Sequence, residues 1–144
     1  MLEVDIHFLV LRRFYQVFLS AIAILEYTAV AKFFREKITD AIEEAEAKSG
    51  MVFLKKKDIT ILKQTNRKHL KVRTPRKGCL QVQIHIYVNN EVKKAFLHSI
   101  QALGYSSAAE FFREKMRVAI DSAGQSTGFS SRLAEEKLFD EETR

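Results

Sequence analysis

The sequence predicts a mainly helical fold with a short antiparallel β ribbon, built from two copies of a strand–helix–turn–helix unit. Residues 4–42 recur at 82–120, shifted by 78 positions without a gap, and 17 of the 39 aligned pairs are identical. An internal repeat defines the structural unit. One unit of roughly 40 residues is too small to bury an adequate core alone. We therefore expect the two copies to fold onto each other as a single-chain pseudo-dimer.

Each copy begins with a strand in which apolar residues occupy every second position, at 4–10 and at 82–88. This period of two is typical of a strand with one buried face. A strand of seven residues is not stable alone, and its best partner is the other copy. The intervening residues would then share the outward face: Asp5, His7 and Leu9 in the first strand, and Gln83, His85 and Tyr87 in the second, with Gln81 one step earlier.

Two helices follow each strand. Apolar residues at helical spacing predict first helices over 12–25 and 90–103 and second helices reaching about 45 and 123. Gly104 is a suitable helix C-cap, whereas Glu26 at the aligned position predicts a more strained turn. Ser107 with Glu110 fits a capping box, with Thr28 and Ser106 as the aligned alternative caps. The Arg-Glu-Lys triplets at 35–37 and 113–115 are expected to face mostly outward.

The repeat, the charge pattern and a helical pattern near the end divide the chain into four parts: a first repeat (1–50), a basic connector (51–80), a second repeat (81–125) and a C-terminal helical tail (126–144). The net charge is +6, yet the connector alone holds ten basic residues against Asp58, a net of +9. Such a block favours a polyanionic partner. Residues 59–61 and 70–72 fit a β-hairpin, which their β-branched residues favour. A short helix capped by Asp58 and running through Lys71 is the alternative.

Several functional classes are not expected. The single Cys79 gives no disulfide framework, and no secretory signal opens the chain. The most apolar stretch, 14–31, contains polar residues and predicts a core helix and no membrane span. There is no nucleophile–base–acid set, phosphate-cradling glycine loop or metal-ligand spacing. We therefore expect a cytoplasmic protein that is not an enzyme and that uses no cofactor or small-molecule substrate.

The repeat resembles the ribbon-helix-helix family of DNA-binding regulators, because Leu-Gly-Tyr-Ser-Ser (103–107) closes the first helix of a strand–helix–turn–helix unit. The resemblance covers 4–45 and 82–123. Two copies in one chain are similar to the tandem ribbon-helix-helix transcription regulators of filamentous viruses that infect hyperthermophilic archaea. This resemblance implies an antiparallel ribbon above four helices. It also implies a sequence-specific repressor or activator, which would act in the host cytoplasm if the protein is viral. The connector is not part of the family pattern.

This resemblance implies that the ribbon enters the major groove of double-stranded DNA. The residues expected to read bases are Asp5, His7, Leu9, Gln81, Gln83, His85 and Tyr87. Those expected to contact phosphates are Thr28, Ala29, Ser106 and Ser107 at helix starts, and Lys55, Lys56, Lys57, Arg67, Lys68, Arg73, Arg76 and Lys77 in the connector. Because the strands differ at 5/83 and 9/87, we expect an asymmetric recognition element.

Other interpretations compete with this one. The two histidines would suit a metal across the ribbon, but a metal needs three or four ligands and no matching Cys or carboxylate set is evident, so no metal is predicted. An unusually apolar first helix, with Phe14, Tyr15, Val17 and Ile24, predicts a self-association surface. Alternatively, the protein is an antitoxin-type DNA-binding protein whose tail binds a protein partner, or it binds RNA.

Overall fold

A computed structural model of the 144-residue chain describes residues 3–64, 70–73 and 80–127. The elements in chain order are β1 (Glu3–Leu11), α1 (Arg12–Ile24), α2 (Val30–Ser49), α3 (Lys56–Gln64), β2 (Leu70–Arg73), β3 (Gln81–Asn89), α4 (Asn90–Ala102) and α5 (Ala108–Thr127). The three strands form one antiparallel sheet in the order β1-β3-β2. The chain is thus mainly helical with a short β ribbon, as the sequence predicts.

The β1–β3 pair is centred on two histidines. His7 lies opposite His85, and the register extends from Glu3 opposite Asn89 to Leu11 opposite Gln81. Because His85 is also the residue 78 positions after His7, the pairing is symmetric about this pair. Of the eight apolar residues predicted to face inward, seven are buried and Val4 is half-buried. The pairing and the inward face of both strands are therefore confirmed.

The helices of the two segments pack across each other. After the shift of 78, α4 and α5 have the same bounds as α1 and α2. The main helix contacts join α1 to α5 and α2 to α4, so the first helix of each segment packs on the second helix of the other. Three aligned pairs of phenylalanines fill the shared core, each at most 1% exposed: Phe18 and Phe96, Phe33 and Phe111, and Phe34 and Phe112.

The helix ends differ between the segments. Gly104 and Glu26 both have left-handed backbone, with φ of 94° and 67°. The Ser107 hydroxyl accepts a hydrogen bond from the Glu110 amide, which confirms a side-chain cap there. At the aligned position, Ala29 gives α2 no side-chain cap, and Thr28 does not replace it. Similarly, Asn89 caps α4 through the Val92 amide at 2.8 Å, whereas Leu11 gives α1 no such bond.

The hairpin predicted in the connector is wrong in its first half, because residues 56–64 form helix α3. Ile59 and Leu62, three residues apart, are buried in the shared core, and α3 packs on α2. This helical spacing outweighs the weak strand preference of β-branched residues. Upstream, the Glu46 carboxylate accepts the Phe53 and Leu54 amides and ties the connector to α2. The second half does form a strand, but β2 pairs with β3.

The Arg-Glu-Lys triplets are less exposed than predicted. Arg35 is buried, and Arg113 is half-buried because its guanidinium donates to the Leu9 carbonyl oxygen of β1 at 2.7 and 3.1 Å. Residues 128–144, which make up most of the predicted C-terminal helical tail, lie outside the described residues. Among the described helices, none combines the length and the apolar character needed to cross a bilayer.

Candidate nucleic-acid interface

The sheet face turned away from the core is largely polar. Alternation along β1 and β3 places all seven residues predicted to read bases on this face: Asp5, His7, Leu9, Gln81, Gln83, His85 and Tyr87. His7 is exposed, and the other six are half-buried. The register places Asp5 opposite Tyr87 and Leu9 opposite Gln83 on either side of the histidine pair. We refer to this surface as the outward face.

A cluster of three side chains occupies the centre of the outward face. One carboxylate oxygen of Asp5, Oδ2, lies 3.2 Å from His7 Nδ1 and 2.8 Å from His85 Nδ1. The side chain of His7 is 57% exposed and that of His85 only 16%. The hydrogen bond with His85 lowers the pKa of the Asp5 carboxyl below its ordinary value, and the charges of both histidines add to this effect. Asp5 is therefore an anion in contact with both imidazoles.

The rings of the cluster also contact each other. The His7 and His85 ring centroids are 5.6 Å apart, and the Tyr87 ring stacks on His85 with a centroid distance of 6.2 Å and an interplanar angle of 13°. The Tyr87 ring therefore flanks the imidazole of His85 in a nearly parallel orientation. A ligand atom set of this kind, two imidazole nitrogens and one carboxylate oxygen within 4.8 Å of one another, is suited in type to a metal ion.

The two outer edges of the β1–β3 pair have different hydrogen-bond partners. On the β1 edge, the Lys93 ammonium donates to the Asp5 carbonyl oxygen at 2.9 Å, and Arg113 donates to the Leu9 carbonyl oxygen. Side-chain donors of this kind prevent an edge strand from pairing with another chain. On the β3 edge, β2 pairs instead, with Lys71 opposite His85 and Arg73 opposite Gln83.

The helix starts predicted to contact phosphates are exposed. At the start of α5, however, a carboxylate of the same helix already accepts hydrogen bonds. The Glu110 carboxylate accepts a hydrogen bond from the Ser106 amide at 3.1 Å and another from the Ser106 hydroxyl. These bonds lower the pKa of the Glu110 carboxyl. The α2 start, Thr28 and Ala29, has Lys32 in place of Glu110 and no side-chain cap. The α2 start is therefore better suited to a phosphate than the α5 start.

The basic residues of the connector are only partly described. Lys55, Lys56 and Lys57 are exposed at the start of α3, and Arg73 lies in β2. Arg67, Lys68, Arg76 and Lys77 fall outside the described residues.

The predicted self-association surface on α1 needs correction. Phe14 is 3% exposed and belongs to the core, with the Arg117 guanidinium of α5 lying 5.9 Å from its ring centroid. Tyr15 and Val17 are half-buried and pack against the same core, while Ile24 is 36% exposed. The apolar excess of α1 therefore serves mostly the contact with α5, and Phe14 is not available to a partner.

No family model, curated protein or solved structure matches this chain. The sequence predicted which residues of β1 and β3 lie on the outward face. It did not predict that the Asp5 carboxylate contacts both histidines. The missing step was the register: once His7 is set opposite His85, Asp5 becomes a diagonal neighbour of His85, within reach of a side chain.

Proposed function

We propose that this protein is a sequence-specific double-stranded DNA-binding regulator of the ribbon-helix-helix type, in which both repeats form one pseudo-dimer. Its outward face would read base edges in the major groove. It would act in the cytoplasm by binding, without catalysis. The observation that carries the proposal is the β1–β3 pair: a symmetric two-stranded ribbon whose inner face is buried and whose outer face presents hydrogen-bonding side chains.

The chemistry of the outward face suits base recognition. A glutamine such as Gln83 pairs with the N6 and N7 atoms of adenine, and imidazole N–H groups donate to guanine. Tyr87 and Leu9 supply apolar contact for a thymine methyl group. Because Asp5 and Leu9 of β1 stand where β3 has Gln83 and Tyr87, the two half-sites would differ in sequence.

The third strand limits how the sheet can enter a groove. Three strands with a spacing of about 4.8 Å span roughly 10 Å between the outer backbones. The major groove is only about 12 Å wide and accommodates a two-stranded ribbon. In our proposal β1 and β3 enter the groove and β2 remains at its wall.

The start of α3 also supports a polyanionic partner. The N-terminus of a helix carries partial positive charge, so Lys55, Lys56 and Lys57 add like charge there, with Asp58 as a partial offset. Three exposed lysines at this end weaken the helix unless an anion approaches. A phosphate backbone supplies that anion and would add affinity that falls steeply with salt.

The test is selection of bound duplexes from a random-sequence DNA library, followed by affinity measurements on the selected site. Gln83→Ala should weaken binding to that site about 5- to 100-fold and relax the preference at one position, while nonspecific affinity is retained. The matched control is Gln16→Ala, because Gln16 is an exposed glutamine on α1 and is not one of the residues of the outward face. The double variant Lys56→Gln, Lys57→Gln should weaken binding to all sequences similarly and reduce the salt dependence.

Three outcomes would contradict the proposal. One is failure to enrich any DNA motif. Another is equal binding of the selected site by Gln83→Ala and the wild-type protein. The third is stronger competition by RNA than by duplex DNA, which would assign the outward face to RNA.

A further inference from the structure

We propose that Asp5, His7 and His85 form a binding site for one divalent transition-metal ion of the Zn²⁺ class, at the centre of the outward face. No residue outside this cluster is needed to hold the ion, and the site uses both repeats. It is independent of the proposed DNA binding, since the ligand set would exist whether or not DNA is the partner.

The Asp5 oxygen lies at distances from the two imidazole nitrogens that are close to the ligand separations of a metal site. Zn²⁺ binds imidazole nitrogen and carboxylate oxygen at about 2.0–2.2 Å, which places tetrahedral ligand atoms roughly 3.3 Å apart. In the cluster, Asp5 Oδ2 is 3.2 Å from His7 Nδ1 and 2.8 Å from His85 Nδ1. Small side-chain rotations would admit an ion between them without a change in the backbone.

The donor types select the class of ion. Two imidazole nitrogens with one carboxylate suit Zn²⁺, Co²⁺, Ni²⁺ or Cu²⁺ better than Mg²⁺ or Ca²⁺, which prefer oxygen ligands only. Three protein ligands leave one tetrahedral position for water or another exchangeable ligand. The cluster is open to solvent on the side of His7, its most exposed member.

The scaffold holds the three ligands in place. The His7–His85 pairing is fixed by the β1–β3 register. Lys93 anchors the backbone of Asp5 to α4 through the carbonyl oxygen, and the Tyr87 ring packs flat against His85. A site built on strands and supported by neighbouring contacts loses little freedom when the ion binds.

The asymmetry between the repeats limits the site to a single carboxylate. Both copies provide a histidine at the centre of the ribbon, but the residue aligned with Asp5 is Gln83. Gln83 has no carboxylate, so only one side of the histidine pair is acidic. The expected stoichiometry is therefore one ion per chain.

Metal loading would reverse the charge of the cluster. With neutral imidazoles, Asp5 gives the cluster a charge of −1, and a bound divalent ion would change it to +1. Coordination through Nδ1 also places the proton of each histidine on Nε2, so that both rings become fixed donors. If the proposed function is correct, the metal-loaded form presents this donor pair to DNA.

The test is titration of the full-length, metal-free protein with Co²⁺ followed by visible absorption, and with Zn²⁺ followed by calorimetry. We expect one ion per chain and the intense absorption bands of four-coordinate Co²⁺. Asp5→Asn, which is nearly isosteric, and His85→Ala should each lower the affinity at least about tenfold. The matched control is His98→Ala, because His98 is an exposed histidine on α4 outside the cluster.

Thermal unfolding supplies an independent readout, since a ligand that binds only the folded state raises its stability. Zn²⁺ should raise the Tm of the wild-type protein and of His98→Ala but not that of Asp5→Asn. The proposal is overturned if the wild-type protein binds no Zn²⁺, or if Asp5→Asn and His85→Ala bind it as tightly as wild type. Neither result depends on DNA, so a failure here is distinguishable from a failure of the proposed function.

Discussion

The two segments 4–42 and 82–120 contribute aligned residues to one core, but the outer edges of their strands differ. Inside, aligned phenylalanines are buried to the same extent in both halves. At the edge, Lys93 of α4 bonds to β1, whereas the aligned residue of α1 is Tyr15 and the β3 edge pairs with β2. The comparison indicates that the aligned core residues are under similar packing constraints, while the strand edges differ in their hydrogen-bond partners.

Truncation of matched core residues should give the largest effects. Phe34 and Phe112 are both 0% exposed, and both rings lie against Phe8, at centroid distances of 5.9 and 5.0 Å. Phe34→Ala and Phe112→Ala should each lower the free energy of unfolding by about 3–5 kcal/mol, because a large cavity remains. Urea denaturation measures both values.

A comparison of the losses in Phe34→Ala and Phe112→Ala tests whether both halves of the core contribute equally to stability. If the core is shared evenly, the two losses should agree within about 1 kcal/mol, since the surroundings are nearly equivalent. A loss several-fold smaller in one variant would show that one half of the molecule supplies most of the core stability.

Breaking the edge contact of β1 should have an intermediate effect. Lys93→Met removes the donor to the Asp5 carbonyl oxygen and should cost about 1–2 kcal/mol, since a hydrogen bond from a charged group is lost. Lys94→Met is the control, because Lys94 is exposed on the same helix and should change stability by less than about 0.5 kcal/mol. Hydrogen exchange should also become faster along β1. Equal stability of the two variants would reject the role assigned to Lys93.

Most parts of the structure that sequence reasoning predicted are determined by local pattern; the exception is the pairing of β1 with β3, which the internal repeat predicted. Period-two alternation located β1 and β3, helical spacing located the four long helices, and Ser107 with Glu110 marked the start of α5. These features depend on residues near one another in the chain, so the pattern alone specifies them.

The parts that it missed depend on contacts between distant segments. Ile59 and Leu62 become core residues only because the surface of α2 lies beside α3. Phe14 is buried because α5 covers it. Asp5 meets His85 across 80 residues of chain, and only the register of β1 on β3 brings them together.

The smallest expected effects concern the turn between the two helices of each repeat. Glu26 has a φ of 67° and Gly104 a φ of 94°. This left-handed region costs a residue with a side chain roughly 1 kcal/mol, but it costs glycine little. Glu26→Gly should therefore stabilise the protein by about 0.5–1 kcal/mol, and Gly104→Ala should destabilise it by a similar amount.

The two substitutions Glu26→Gly and Gly104→Ala together separate the effect of backbone conformation on stability from the effect of side-chain packing. A Cβ atom added at Gly104 would meet nothing within 4 Å, so a loss in Gly104→Ala would not come from a steric clash. Thermal unfolding of both variants, alone and combined, gives the comparison, and the two effects should nearly cancel in the double variant. Destabilisation by Glu26→Gly would instead show that the Glu26 side chain contributes more than its strained backbone costs.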